Sequence, residues 1–473
     1  MRWDAIVVGA GPAGMSAAAE LAERGAAVLV IDQQPSLGGQ IYRSIENDND
    51  KARTDVNVIL GADYTAGLSL IQRLRKSGAS LMLGAAVWRI DPNGDVWTRK
   101  DGGLLRHPAR HIVIACGAIE RPVPVRGWTL PGVRTIGALQ ILLKESQLVP
   151  SGKVVLAGTG PLLYLYAAQC MRAGVKEVSI LDTVRASALI ASAPLLPQAL
   201  TGHGFGYLAK GLALLNSIGK SGARRYRSVT DIEIIGDAFA KAIRFRASGK
   251  SVELPCEIVG LHEGVIPNQQ IGRSLDCAFK WNKGDLSFKP KLDCWGETTI
   301  ANVFIVGDAS GIREAKACEP DGTIAAIRIA GRIGLVEDAA RDRAFAALVR
   351  ERASHLSVRP LLNRLYRPSA MATMLTDSDT PICRCENISA AQIRQSVDIG
   401  SIGPNQTKAY LRTGMGPCQG RMCASNVSQI IAHKRDVSVD DVGHFRVRSP
   451  LVPISAAELA AVDSEIGNSG SHL

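Results

Sequence analysis

Ala5-Ile-Val-Val-Gly9-Ala-Gly11-Pro-Ala-Gly14 reads as a buried strand, a tight turn and the start of a helix. Gly9 permits the turn, Gly11 lets the backbone approach a pyrophosphate, and Gly14 lets the helix lie close to the strand. The helix, predicted from about Pro12 to Arg24, then offers its N-terminal N–H groups and positive dipole end to phosphate. A glycine pattern alone carries little weight. Asp32 adds the rest: it ends the next predicted strand, Val28 to Ile31, where a carboxylate can accept ribose hydroxyls.

Working outward, a second unit begins at Lys153-Val-Val-Leu-Ala157, turns through Gly158-Thr-Gly160, and continues as a helix to about Ala173. It returns on Val178-Ser-Ile-Leu181 and ends in Asp182, so the fold class is α/β with two Rossmann-like nucleotide-binding lobes. Leu163 stands where a third glycine would be, which keeps helix and strand further apart. A nicotinamide dinucleotide, another adenine nucleotide and an empty structural lobe all remain open for this unit. Between the units, Arg121-Pro-Val-Pro-Val-Arg-Gly-Trp-Thr-Leu-Pro-Gly132 predicts a crossover, because its prolines lack the N–H a central strand needs. Asn302-Val-Phe-Ile-Val306-Gly307-Asp308 predicts a return to the first lobe, with a new helix from Gly322 that either points its positive end at a bound cofactor or only packs.

The expected domains are 1–118 with 285–340 for the first lobe, 119–284 for the second, 341–375 for a basic helical linker, 376–445 for a cysteine module and 446–473 for a tail that frays at its end. In the linker, Arg341, Arg343, Arg350, Arg352, Arg359, Arg364 and Arg367 face only Asp342 and Glu351. Such a run is either a docking segment or a solvated helical face.

At 473 residues, 46% hydrophobic and 21% charged, the chain has ample length for several cores. Ten cysteines, spread thinly except for the last four, argue against a secreted disulfide framework and for a reducing compartment, so the expected location is the cytoplasm. The strand at Ala5 leaves no room for a cleavable signal, and no apolar run is long enough to span a membrane. The net charge of +11 suits an acidic partner or anionic surface; no nucleic-acid motif accompanies it. His262-Glu263 lacks the second histidine of a zinc-protease helix, and no acid–base pair or nucleophile triad stands out, so no catalytic residue is assigned. A turn-stabilising role is expected for Glu120-Arg121.

Cys383-Arg-Cys385 and Cys418-Gln-Gly-Arg-Met-Cys423 form the one dense cysteine cluster. Four thiolates suit tetrahedral zinc or an iron–sulfur cluster, although the common zinc pattern uses two-residue spacers.

The opening loop, Ile114-Ala-Cys116-Gly117-Ala118 and Val306-Gly307-Asp308 together resemble the glutathione-reductase-like flavoproteins. The resemblance implies FAD held by Gly9, Gly11, Gly14, Asp32, Gly39, Gln40, Gly117, Gly307 and Asp308, with the Asp308 carboxylate on the ribityl chain. Gly158, Gly160 and Asp182 become the candidate site for NAD(H) or another adenine nucleotide. Cys116 replaces the more usual threonine, and neither lobe carries the redox cysteine pair of the disulfide reductases in this superfamily. The terminal cysteines, with Lys408-Ala and Arg412-Thr-Gly-Met-Gly-Pro before Cys418, resemble a bacterioferritin-associated-ferredoxin-like (BFD-like) [2Fe-2S] domain, a small helical fold. That resemblance makes Cys383, Cys385, Cys418 and Cys423 the cluster ligands.

With Glu120-Arg-Pro-Val-Pro and Gly127-Trp-Thr-Leu-Pro-Gly-Val133, the chain from about residue 1 to 445 resembles the larger electron-transfer subunit of the opine oxidase, D-hydroxyproline dehydrogenase and hydrogen cyanide synthase group. The resemblance implies an oxidoreductase acting on CH–NH bonds as part of a complex. A partner FAD subunit resembling D-amino-acid oxidase would oxidise the substrate, and a small ferredoxin-like [2Fe-2S] subunit often joins. The electron acceptor can bring such a complex to the inner membrane. The competing readings are a self-sufficient NAD(P)H-dependent reductase using both lobes, and an iron-trafficking or scaffolding module.

Overall fold

The computed structural model describes residues 2–46, 51–373 and 378–461; the expected module start at residue 376 and the tail beyond residue 461 lie outside the described residues. β1 (Trp3–Val8) leads through α1 (Pro12–Glu23) to β2 (Val28–Asp32), its parallel neighbour, and β3 (Ser80–Leu83) extends the sheet beyond β2. β4 (Ala86–Ile90), β5 (Asp95–Lys100) and the long β6 (Gly103–Ile114) form an antiparallel extension, with β6 also lying parallel to β1. β1 is covered on both faces, which is why its sequence is apolar without alternation: Ala5, Ile6 and Val7 are fully buried.

After β7 (Ala118–Glu120), the second lobe runs through β8 (Val133–Thr135), α2 (Ile136–Ser146), β9 (Lys153–Thr159), α3 (Pro161–Arg172), β10 (Glu177–Asp182) and β11 (Arg224–Tyr226). β12 (Thr230–Gly236), β13 (Ala240–Ala247) and β14 (Lys250–Pro255) form a separate antiparallel sheet, and β15 (Ile258–Glu263) returns between β9 and β8. Leu163, at the third-glycine position, is fully buried in the space a closer helix would have filled.

β16 (Val265–Pro267) pairs with β7, so the two passages between lobes travel as one ribbon. Arg121 ties this ribbon to its surroundings by donating to the backbone carbonyls of Glu263, Asp285 and Leu286. A hairpin of β17 (Phe279–Asn282) and β18 (Ser287–Pro290) precedes β19 (Val303–Ile305), which pairs with β6 and completes the first sheet.

The following helix corrects the sequence expectation. α4 spans Ala315–Arg332, so it begins well before Gly322 and carries Pro320 inside it. Pro320 and Gly322 read as helix breakers, but packing overrides them. A Cβ on Gly322 would lie 2.0 Å from the Ala13 carbonyl oxygen, so the glycine is what lets α4 press against α1.

α5 (Asp338–Leu356) packs along α4 and is more than a solvated face, because Arg352 Nη1 reaches the buried Asp321 at 2.7 Å. The cysteine module contains β20 (Pro381–Cys383), β21 (Ile388–Ser389), α6 (Ala390–Asp398) and α7 (Ala424–Arg435). It has its own core of Ile382, Ile393, Val427, Ile431 and Phe445. Ser389 and Gln392 form a capping box at the start of α6. Among the described residues no helix is long and apolar enough to cross a membrane.

Candidate functional site

The first-lobe glycines form a cradle that side chains would fill. Gly9 has φ +108°, and a Cβ there would meet the Ala115 carbonyl oxygen at 2.4 Å; a Cβ on Gly14 would lie 1.9 Å from the Gly9 oxygen. Gly11 faces open space, with only Gly39 Cα at 3.9 Å from its notional Cβ. Gly39, at φ +61°, brings the 38–40 loop against that same Gly11. No side chain caps α1, which leaves its first turn for an anionic group. Asp32 stands beside this opening, accepting from the Ala10 N–H at 2.6 Å and the Gln34 N–H at 2.8 Å; its burial raises the carboxyl above the ordinary range.

Gln40 accepts Lys144 Nζ on its carbonyl at 2.9 Å and Arg43 on its side chain at 3.2 Å, so α2 of the second lobe steadies this loop. Gly117, with φ +65°, has nothing within 4 Å of a notional Cβ. Gly307 donates its N–H to Asp321 at 2.7 Å, and the Asp308 carboxylate accepts the Arg313 N–H at 2.7 Å. This donor and acceptor set fits a flavin dinucleotide. Cys116 is a packing thiol beside it, donating to the Val8 carbonyl and pushed up to about 12 by burial.

The second lobe repeats the turn but not the opening. Gly158 and Gly160 have φ +133° and +107°, yet the His262 ring stands within 3.5 Å of where a Gly160 Cβ would project. Asp182 is already engaged: it accepts from Tyr164 Oη and Arg225 Nη2 at 2.6 Å each, and from the Val184 N–H at 2.9 Å. Glu120 accepts the Gly137 N–H and pairs with His262 Nδ1, each at 2.8 Å, so it stabilises the turn into α2. Tyr164 and Arg225 were not singled out from sequence. Their meeting with Asp182 depends on strand order, and no local motif marks it.

The four terminal cysteines come together in one neighbourhood. Cys423 lies beside Cys383 and Cys385 beside Cys418, all four are free thiols, and Cys423 also feels the charge of Cys418 and Cys385. The bond from Cys423 holds Cys383 down at about 6 and pushes Cys423 well above the usual thiol range. The Gly414 N–H also donates to Cys383 Sγ at 3.5 Å. A Cβ on Gly416 would lie 2.2 Å from Cys385 Cβ, so only glycine allows the loop this close. Among the described residues no three of these or other His, Cys, Asp or Glu side chains close into a shell around one metal position. The chemistry of the donor set, four neighbouring thiols, fits a thiolate-bound cluster.

The module is seated on both lobes. Trp128 Nε1 donates to the Pro381 carbonyl at 2.8 Å, Gln270 Nε2 to the Gln419 carbonyl at 3.2 Å, and Asp440 accepts the Trp281 N–H at 2.6 Å. Ile119, Pro267, Gln270, Gly420 and Arg421 line the seam.

Residues 3–192 match the family model described as pyridine nucleotide-disulphide oxidoreductase, and residues 380–463 match the sarcosine oxidase A3 domain. Fold and site thus define a two-lobed, flavin-dependent oxidoreductase with an appended cysteine module. The chain belongs to the family of opine oxidase A subunits. It is 45% identical to the A subunit of opine oxidase from Rhizobium meliloti (strain 1021), over 97% of this chain and 98% of that protein. With the A subunit of opine oxidase from Agrobacterium tumefaciens (strain Ach5) the identity is 38%, over 97% and 91%. The fold is similar to that of L-proline dehydrogenase from P. horikoshii, with a TM-score of 0.69 and 16% identity over 97% of this chain and 79% of that one.

Proposed function

We propose that this chain is the electron-transfer subunit of a hetero-oligomeric amino- or imino-acid dehydrogenase of the opine oxidase type. A partner FAD subunit resembling D-amino-acid oxidase oxidises a CH–NH bond, and this chain carries the electrons onward; a small ferredoxin-like subunit is a further member. The complex belongs in the cytoplasm, reaching the inner membrane through its acceptor. The observation that carries this reading is the seam: the loop that bears Cys418 lies against the ribbon beside the first-lobe cradle, joined through Gln270 and Gln419. Both opine oxidase relatives are single subunits of their enzymes, which supports a multi-subunit assembly here.

In this reading Gly9, Gly11, Gly14, Asp32, Gly39, Gln40, Gly117, Gly307 and Asp308 hold FAD, and Cys383, Cys385, Cys418 and Cys423 hold a [2Fe-2S] cluster in a BFD-like domain. Bound together, the two groups would couple two-electron to one-electron chemistry. The Cys-x-Cys and Cys-x4-Cys spacing supports a two-iron centre over a single zinc ion, whose common pattern uses two-residue spacers. Asp32 and Asp308 orient the dinucleotide at their carboxylates. Arg421, donating to the Cys418 carbonyl at 3.4 Å and the Leu451 carbonyl at 2.9 Å, fixes the loop at the seam and places a cation beside the thiols.

The test is co-purification with the partner subunit, followed by dye reduction with octopine, nopaline, hydroxyproline and glycine. Cys418→Ser should keep the flavin and lose amine-dependent reduction; unchanged turnover would refute the relay. Rapid flavin reduction by NADH alone would replace it with the self-sufficient reductase. Full substrate oxidation by the isolated chain would refute the assembly.

A further inference from the structure

In an open α/β sheet, ligands enter the crevice at the carboxyl ends of the strands. In the second lobe that crevice lies where β9, β10 and β15 end, and a distant part of the chain enters it. The connector between the helix Arg359–Leu365 and the cysteine module passes there. Ser369 donates its N–H to Glu263 Oε2 at 2.7 Å and its hydroxyl to Glu263 Oε1 at 3.0 Å. Thr183, just beyond β10, donates to the same Oε1 at 3.0 Å. Glu263 ends β15 and is fully buried, so its carboxylate depends on these donors: a buried charge without them is costly. Upstream, the Tyr366 ring packs against Tyr164 at 6.4 Å, over the tyrosine that engages Asp182. Downstream, Ala372 is fully buried and Met371 packs into the core beneath β12–β14. Met422, next to Cys423, joins that same core.

We propose that the second lobe uses its nucleotide crevice as the receptor for the chain's own connector, residues 366–373, and through it anchors the cysteine module. Glu263 is the latch. His262 beside Gly160 and the engaged Asp182 act with it, since the turn faces a protein ring and the strand-end carboxylate already has protein partners. The inference concerns the connector alone and holds whichever metal the cysteines bind.

Hydrogen exchange on the full, flavin-loaded chain tests it. The Ser369 amide and its neighbours should be protected in the wild type. Glu263→Gln removes one acceptor, and exchange across 366–373 should rise about tenfold or more, β20 following, while β9 and β10 stay protected. Ser369→Ala is the milder variant, loses only the hydroxyl, and should give a smaller rise in the same segment. Unchanged exchange in both variants would overturn the latch, and a rise confined to 366–373 with β20 unmoved would overturn the anchoring. NADH, NADPH and ADP-ribose should show no saturable binding up to about 1 mM by calorimetry, the range of negligible affinity. Saturable binding of any of them below that would overturn the crevice's assignment to the connector.

Discussion

Asp321→Asn is expected to loosen the junction between the first lobe and α5. Asp321 is 6% exposed; Oδ2 accepts the Gly307 N–H at 2.7 Å, with Ser310 Oγ at 3.4 Å and Arg313 Nε at 3.5 Å further off, and Oδ1 accepts Arg352 Nη1 at 2.7 Å. An asparagine keeps the volume but has one acceptor oxygen, so it can serve one partner and turns an amide N–H2 toward the other. A hydrogen bond to a charged group contributes roughly 1.5–3 kcal/mol, and stranding one member of a buried ion pair costs roughly 3–5 kcal/mol. Arg352 keeps 22% of its side-chain surface in water, which lowers the second figure. The expected loss is therefore about 2–4 kcal/mol. Thermal unfolding followed by circular dichroism should show the midpoint falling by several degrees. A double-mutant cycle with Arg352→Gln isolates the pair, with an expected coupling of about 1.5–3 kcal/mol. Additivity within about 0.5 kcal/mol would mean that the contact contributes nothing and that the explanation of why α5 is seated on α4 is wrong.

Gly14→Val would drive a branched side chain into the Gly9 carbonyl, where even a Cβ lies 1.9 Å away. The purified protein should carry less than about a tenth of the wild-type flavin absorbance, and full flavin content would refute the cradle. Glu314, at the N-cap of α4, is pushed up to about 7 by burial, with the neighbouring Asp308 carboxylate adding to the shift. Its folded value is raised, so its stabilisation is complete below the ordinary carboxyl value of 4.5 and is lost as pH rises through about 7. Between these limits the wild type should lose stability relative to Glu314→Gln; parallel melting curves across the window would refute the shift. Anaerobic reconstitution should load about two irons and two sulfides per chain, and Cys385→Ser or Cys423→Ser should abolish loading. One colourless zinc per chain would refute the cluster.

The first lobe was legible because its constraints are local. Gly9 and Gly14 clash with atoms a few residues away or on the adjoining strand, so any chain making this strand–turn–helix needs glycine there. Asp32 follows from strand length alone. The cysteines were legible as a group because their density in sequence stands out in a thinly cysteined chain.

The second lobe shows where sequence stops. Gly158, Gly160 and Asp182 have the form of a nucleotide site, and only Leu163 nearby in the chain counts against it. Its closure comes from groups that only the folded chain brings together: Arg225 from the next strand, the His262 ring from β15, and Ser369 lying 106 residues from Glu263. α4 carries the same lesson, since Pro320 and Gly322 stop a helix in isolation but not one pressed against α1. By itself, the sequence determined the two βαβ turns, the first-lobe glycine cradle and the local density of thiols, because each rests on sterics or chemistry within a short segment. Only the tertiary structure decided which turn is open, that the two cysteine segments meet and what enters the second crevice, because each depends on contacts between residues far apart in the chain.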